Sequence, residues 1–370
     1  MPAQLGAGVI NIDFETRSEV NLLTDGAYNY FTDPSTEVIC MAYARDDGEP
    51  QLWHPGEPIP ASFLSDHDEY WAWNADFERL CWDYLMEPEH GFRPIPLTAW
   101  RCSMYQARCN NMPGALGNAA RCLNVEHQKS SRGRELIKLL CLPLADGSFC
   151  KDPDLLLEMD EYCLQDVRTE RATSAQMRKP TPAEWADYHA NCRINDRGFR
   201  IDRDLCEAAQ IYAAEEEEAL LSVIEEVTEG VVTKARGEKL KDWVVERLTE
   251  EQERLCVKYR DGERKLSLDK YNRLRLLESD DLDSDVAEVV ECSDFAQKSS
   301  VGKFRAMLNR SDPEDHRVRG ALMANGASQS GRYSSSGAQV HNFPRDCMDD
   351  PVAVRNDFMD EIMAEDIVDY

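Results

Sequence analysis

Positive charge is what this chain lacks most: 42 lysines and arginines stand against 70 aspartates and glutamates, a formal net charge of −28 at pH 7. A generic nucleic-acid coat is basic, so the charge argues against that class. It does not argue against an enzyme that grips a nucleic-acid end locally, through metal ions and a few basic residues. Weak non-specific affinity is expected, or a partner that brings positive charge. Long apolar runs are also missing, and the N-terminus has no basic segment followed by an apolar one. Neither a membrane-spanning helix nor a secretory signal is therefore expected. The expectation is a soluble, cytoplasmic protein with no membrane partner. The 13 cysteines are odd in number and irregular in spacing, with no C-x-x-C pair and no repeated Cys/His spacing. This argues against zinc and against a disulfide framework, and for reduced, mostly buried thiols.

What is present is ample core material. At 370 residues, 42% of them hydrophobic, the chain suits two or three domains of roughly 100–200 residues each. Its organising stretch is Val9 to Thr16, V-I-N-I-D-F-E-T. The pattern predicts a strand, with Ile10, Ile12 and Phe14 on one face and Asn11, Asp13 and Glu15 on the other. Two carboxylates side by side repel unless neutralised. Hard divalent cations such as Mg²⁺ and Mn²⁺ prefer such oxygen ligands. Taken alone, the pair is more simply a solvated strand edge.

Val38 to Ala44 reads as a buried strand, and Pro50, Pro55, Pro58 and Pro60 mark loops after it. Tyr70 to Asn74 reads as another strand, running into a helix start at Ala75-Asp76-Phe77-Glu78. Asn74 is the expected N-cap, and Asp76 and Glu78 suit the positive end of the helix dipole. Helical patterns follow at Met112 to Leu123 and Gly133 to Leu142, and a long one from Asp154 to Met177. On that last helix Leu155, Met159, Tyr162 and Asp166 share one face. Asp166 thus falls on an apolar stripe, where an unpaired carboxylate is costly. An arginine partner is the plain remedy. Glu158, Glu161, Arg168 and Glu170 lie off that line and are expected to be solvated. Strands first and helices after predict an α/β domain with a mixed sheet.

Three stretches in order, D-F-E-T, N-A-D-F-E-R and Y-C-L-Q-D, resemble the three motifs of the DEDD superfamily of 3′–5′ exonucleases, in the subclass with a Tyr-x-x-x-Asp third motif. The match looks closest to the proofreading domain of phage and bacterial family A DNA polymerases. The resemblance implies a ribonuclease H-like fold for residues 1–180. It also implies two divalent cations, Mg²⁺ or Mn²⁺, with Asp13, Glu15 and Asp166 on one and Asp13 with Glu78 on the other. Tyr162 would orient the attacking water, since a phenol with a pKa of about 10 is a poor base at neutral pH. Phe14, Thr16, Asn74 and Phe77 become candidates to hold the terminal nucleotide. The substrate implied is a single-stranded or frayed DNA 3′ end, released one nucleoside monophosphate at a time. One departure is Glu78, where the family's second motif carries an aspartate. Asp76 is the competing assignment; Glu78 is preferred because Asn74 and Phe77 then match the motif.

Lys179-Pro180-Thr181-Pro182 reads as a linker. Residues 183–325 resemble a helical polymerase thumb, with an apolar helix face at Leu240, Trp243, Val244 and Leu248 and a solvated run at Glu215 to Glu218. Residues from about 299 are the most basic part of the chain. Asn325 to Arg345 resembles the start of the family A palm, which makes Arg332, Gln339, Asn342 and Arg345 candidate DNA contacts. The family's further palm carboxylates and fingers helix are not found before Tyr370, and residues 326–370 read as a truncated palm with an acidic tail. The expectation is therefore an exonuclease that does not polymerise by itself. It would be a fragment, or half of a split polymerase with a separate palm-and-fingers polypeptide. The alternative is a non-catalytic DNA-binding or assembly subunit.

Overall fold

The organising stretch forms β1 (Val9–Arg17), the middle strand of a five-stranded sheet. The computed structural model describes residues 8–64, 69–260, 263–297, 302–327, 330–343 and 349–359. After β1 come α1 (Leu22–Thr32), β2 (Glu37–Arg45), β3 (Gln51–Trp53), β4 (Glu69–Ala72), α2 (Ala75–Cys81), β5 (Trp100–Cys102) and α3 (Ser103–Cys109). The sheet order is β3-β2-β1-β4-β5. β2 runs antiparallel to β1 and β3, whereas β4 is parallel to both β1 and β5. The sheet is mixed, as the pattern of elements predicts. Ile10, Ile12 and Phe14 face a core that includes Met41, Trp82 and Trp100. A bulge between Glu15 and Thr16 breaks the regular pairing with β2 just past the acidic pair.

Next in the chain are α4 (Leu116–Leu123), α5 (Gly133–Leu136), α6 (Pro153–Ala175) and α7 (Pro182–Arg197). α6 starts where Asp152 accepts the backbone N–H groups of Asp154 and Leu155 and Pro153 opens the first turn. It crosses the sheet, packing Cys163 and Val167 on Cys40, Ala42 and Ala44 of β2.

The linker expected at 179–182 is instead a short, capped connection. Thr181 and Glu184 form a reciprocal capping box at the start of α7. Tyr188 and Cys192 of α7 then join the core around β1. Gly198, at φ 62°, turns the chain into β6 (Phe199–Arg200), where an added Cβ would sit 2.6 Å from the Val318 carbonyl oxygen. β6 pairs antiparallel with Arg317–Val318.

Two compact units result: Met1–Ile201 with Asn309–Phe343, and Asp202–Leu308 with Pro344–Tyr370. They divide elsewhere than at residue 180. Much of the basic segment is tied into the first unit. Arg310 donates to the Leu23 carbonyl at 2.8 Å, and Arg319 pairs with Asp315 and, at 3.1 Å, with Asp312.

The second unit is mainly helical, with α8 (Arg203–Val227), α9 (Glu238–Val245), α10 (Glu250–Leu255), α11 (Lys270–Leu277) and α12 (Ser284–Ala296). Its core holds Ile224, Leu240, Trp243, Val244, Leu276 and Val286, with Leu248 packed against it. The run Glu215 to Glu218 is exposed, as expected of a solvated face. No helix among the described residues is long and apolar enough to cross a membrane.

Candidate functional site

Strand alternation puts Asp13 and Glu15 on the face of β1 opposite the Ile10–Ile12–Phe14 core. α6 brings Tyr162, Cys163 and Asp166 to that face. The ligand-capable side-chain atoms of Asp13, Glu15 and Cys163 lie within 4.8 Å of one another. The Cys163 thiol donates to the Asp13 backbone oxygen at 3.4 Å and to its Oδ2 at 3.5 Å. Burial holds that thiol's pKa well above its ordinary value, so at neutral pH it is a proton donor and not a thiolate ligand.

α2 delivers the next carboxylate. Asn74 occupies the N-cap position, but its exposed side chain makes no capping bond. Asp76 accepts hydrogen bonds from the Tyr188 hydroxyl at 2.8 Å and the Cys192 thiol at 3.2 Å, both on α7. Glu78 is only 4% exposed, and Asp13, Asp76 and Glu170 act on its charge. Of the two acids on this turn, Asp76 is bonded to α7, and Glu78 is buried with an oxygen that has no hydrogen-bond partner.

The electrostatics follow from crowding. Burial, and then the charge of Asp166, push Asp13 up to about 8. Burial, followed by Asp13 and Asp166, holds Glu15 well above the carboxylate range. Glu78 rises through burial and then through Asp13. Asp166 is raised by burial and pulled back by Lys129, whose ammonium pairs with Asp166 Oδ2. The expected arginine partner is thus a lysine from the loop after α4. Lys129 Nζ also stands 4.9 Å from the centroid of the Tyr162 ring. Burial and Asp166 raise the Tyr162 phenol, so it stays protonated. Glu78 Oε2 and Asp166 Oδ1 are buried without a hydrogen-bond partner. Orphaned buried acceptors of this kind are rare in folded proteins and call for a counter-charge or donor.

Two residues escaped the sequence reading. Lys129 carries no periodic signal; nothing local marks it as the neighbour of Asp166. Glu170, expected to be solvated, is 4% exposed. It accepts from Asn11 Nδ2 at 2.6 Å and from the Ser103 hydroxyl, and burial lifts it to about 7. The signal was there: four residues past Asp166, the same helical stripe reaches Glu170.

The candidate nucleotide contacts separate. Phe14 is 5% exposed and meets Trp82 edge-on at 6.3 Å, so it is a core residue. That is the consequence of sharing a strand face with Ile10 and Ile12. Thr16 is also buried, with its hydroxyl 2.8 Å from that of Tyr30. Asn74 is exposed, and half-buried Phe77 packs against Phe31 with centroids 4.8 Å apart. Arg332, Gln339 and Asn342 are exposed. Arg345 lies outside the described residues. A cavity of about 640 Å³ opens at the Asn11 end of β1, lined among others by Trp71, His127, Arg168 and Lys179. Its lining includes none of the four clustered acids.

No family model matches the sequence. The DNA polymerase of Bacillus phage SP02 is 31% identical over 364 residues, covering 94% of this chain and 53% of that polymerase. The chain is homologous to a phage DNA polymerase. It spans about half the length of that curated relative. The alignment runs within a single polypeptide, so it lends no support to a separate polymerase subunit. The POL domain of Pol1 from M. smegmatis, solved with DNA primer-template and dNTP, aligns with a TM-score of 0.48 and 12% identity. That alignment covers 95% of this chain and 54% of that one.

Proposed function

We propose that this chain carries a metal-dependent 3′–5′ exonuclease of the DEDD superfamily, in its Tyr-x-x-x-Asp subclass, on a ribonuclease H-like sheet. It removes nucleoside monophosphates from DNA 3′ ends as the proofreading part of a family A polymerase. The observation that carries this is convergence. Asp13 and Glu15 place ligand-capable atoms within 4.8 Å of one another, beside Cys163. Asp166 and Glu78 lie near enough to Asp13 for the charges to act on each other, and Glu78 Oε2 and Asp166 Oδ1 are buried without a hydrogen-bond partner. A scaffold has no use for such crowding, which costs stability.

The donor set fits the implied metals. The acids are oxygen donors, outnumber the Lys129 ammonium and leave lone pairs unused, which suits hard divalent cations. Asp13, Glu15, Asp166 and Glu78 would hold two of them, Mg²⁺ or Mn²⁺. Bound there, they supply Lewis acidity and charge neutralisation for phosphodiester hydrolysis. The protonated Tyr162 hydroxyl orients a water. Lys129 adds a fixed positive charge beside Asp166. Asn74 and Phe77 lie at the start of α2 and are the proposed contacts for the terminal nucleotide; Thr16 bonds Tyr30, which packs against Phe77, and Phe14 stays in the core. Arg332, Gln339, Asn342 and Arg345 are proposed contacts to the DNA backbone. The exonuclease is proposed for residues 1–180, the thumb-like region for 183–325 and the beginning of a palm for 326–370, while the compact units divide after Ile201 and again at Asn309 and Phe343.

The test is direct. The protein is incubated with a 5′-labelled single strand of DNA and Mg²⁺ or Mn²⁺, beside Asp13→Ala. Stepwise shortening that disappears in the variant is expected. Folded protein that shortens no DNA with either metal would overturn the reading. The exposed Arg332 and Gln339 favour one second reading, a non-catalytic DNA-binding or assembly role, whose signature is DNA bound but left intact.

A further inference from the structure

Asp13 and Asp166 repel each other, yet β1 and α6 must hold them close. The neighbouring contact along the same pair of elements does the opposite. Asn11 lies two residues before Asp13 on the same face of β1, and Glu170 lies four residues after Asp166 on the same face of α6. Two strand residues advance about 6.6 Å. Four helical residues advance about 6 Å. Asn11–Glu170 is thus one rung of a strand–helix contact whose next rung is Asp13, met by the Cys163 thiol at 3.4 Å and by the charge of Asp166, with the two elements running in opposite directions. The first rung is a hydrogen bond of 2.6 Å. Ser103, fully buried at the start of α3, donates to the other oxygen of Glu170. Both Glu170 oxygens are therefore engaged with neutral donors, so the residue is not placed as a ligand. A slide of α6 by one residue, about 1.5 Å, would carry Asp166 away from Asp13.

We propose that Glu170 is a positioning residue: through Asn11 and Ser103 it keeps α6 in register on β1 and so sets the separation of the Asp13 and Asp166 carboxylates. This rests on the exonuclease reading, in which those two acids hold divalent cations.

The experiment titrates Mn²⁺ into the full chain without DNA, followed by electron paramagnetic resonance, and measures DNA shortening in parallel. Glu170→Ala is expected to weaken Mn²⁺ binding about tenfold or more, as the loss of an outer-shell partner does. Glu170→Gln is expected to bind like wild type. Its amide accepts from Ser103 and donates to the Asn11 carbonyl once that side chain turns over. If Glu170→Ala fails to fold, Asn11→Ala, which removes only the strand's donor, is expected to show the same weakening. Unchanged Mn²⁺ affinity in the alanine variants would overturn the proposal. So would a Glu170→Gln protein as weak as Glu170→Ala, since that outcome marks a ligand or a required charge. Wild-type protein that binds Mn²⁺ without shortening DNA defeats the exonuclease reading alone, because the affinities still test the brace. Wild-type protein that binds no Mn²⁺ defeats both.

Discussion

Replacing Asp13 with asparagine should stabilise the cation-free protein while abolishing its chemistry. Asp13 is pushed from an ordinary 3.8 up to about 8, first by burial and then by Asp166. An acid raised in the folded state makes its full contribution to stability below its unfolded pKa. It loses that contribution as pH rises toward its folded pKa. For Asp13 the loss therefore runs from about pH 4 to about pH 8. At about 1.4 kcal/mol per unit, the ceiling on the penalty at pH 7 is roughly 4 kcal/mol. Asp13 is half-buried, and solvent screening brings the expected gain from Asp13→Asn to about 2 kcal/mol. Tryptophan fluorescence isolates the relevant unit: Trp53, Trp71, Trp73, Trp82, Trp100 and Trp185 lie in the first and Trp243 in the second. In chelator-containing buffer the urea midpoint of Asp13→Asn should exceed that of wild type at pH 7. The difference should shrink toward zero near pH 4. Mn²⁺ should raise the wild-type midpoint by mass action and leave the variant's nearly unmoved. A variant no more stable than wild type at any pH, or wild type indifferent to Mn²⁺, would refute the claim that these acids repel one another and await a cation.

Other perturbations separate the remaining roles. Glu78→Gln should abolish DNA shortening without loss of stability, whereas Asp76→Asn should keep shortening and cost about 1 kcal/mol by weakening the bond from the Tyr188 hydroxyl; urea melts and end-labelled DNA gels read both. Gly133→Ala should impair shortening and also lower stability by about 1–3 kcal/mol, because its Cβ would fall 2.3 Å from the ring of the buried Tyr162; the wild-type rate in that variant would deny Tyr162 its orienting role. Lys129→Met should lower cation-free stability by about 1–2 kcal/mol, since it leaves Asp166 without its ion-pair partner; a variant melting with wild type would show that the pair is not formed in solution.

Much of this protein is legible along the chain. Alternation across Val9 to Thr16 determined the strand and which face its acids take. The helical stripe through Met159, Tyr162 and Asp166 determined what α6 buries, and its period extends one turn further to the buried Glu170. These signals are local: they repeat within one element, at periods set by backbone geometry. Tertiary structure decided the rest. Tyr188 and Cys192 of α7 claim Asp76, whereas Glu78 Oε2 is left buried without a hydrogen-bond partner. Lys129 meets Asp166 across 37 residues, and Asn11 meets Glu170 across 159. The segment Asn309–Phe343 returns to the first unit after the whole helical stretch between. No periodicity spans such separations, because those pairings are fixed by which surfaces pack together once each element has formed. The acids of β1 were thus visible as a pair from the start. Only the packing of α2 and α6 against that strand turned the pair into a cluster with a shortage of positive charge.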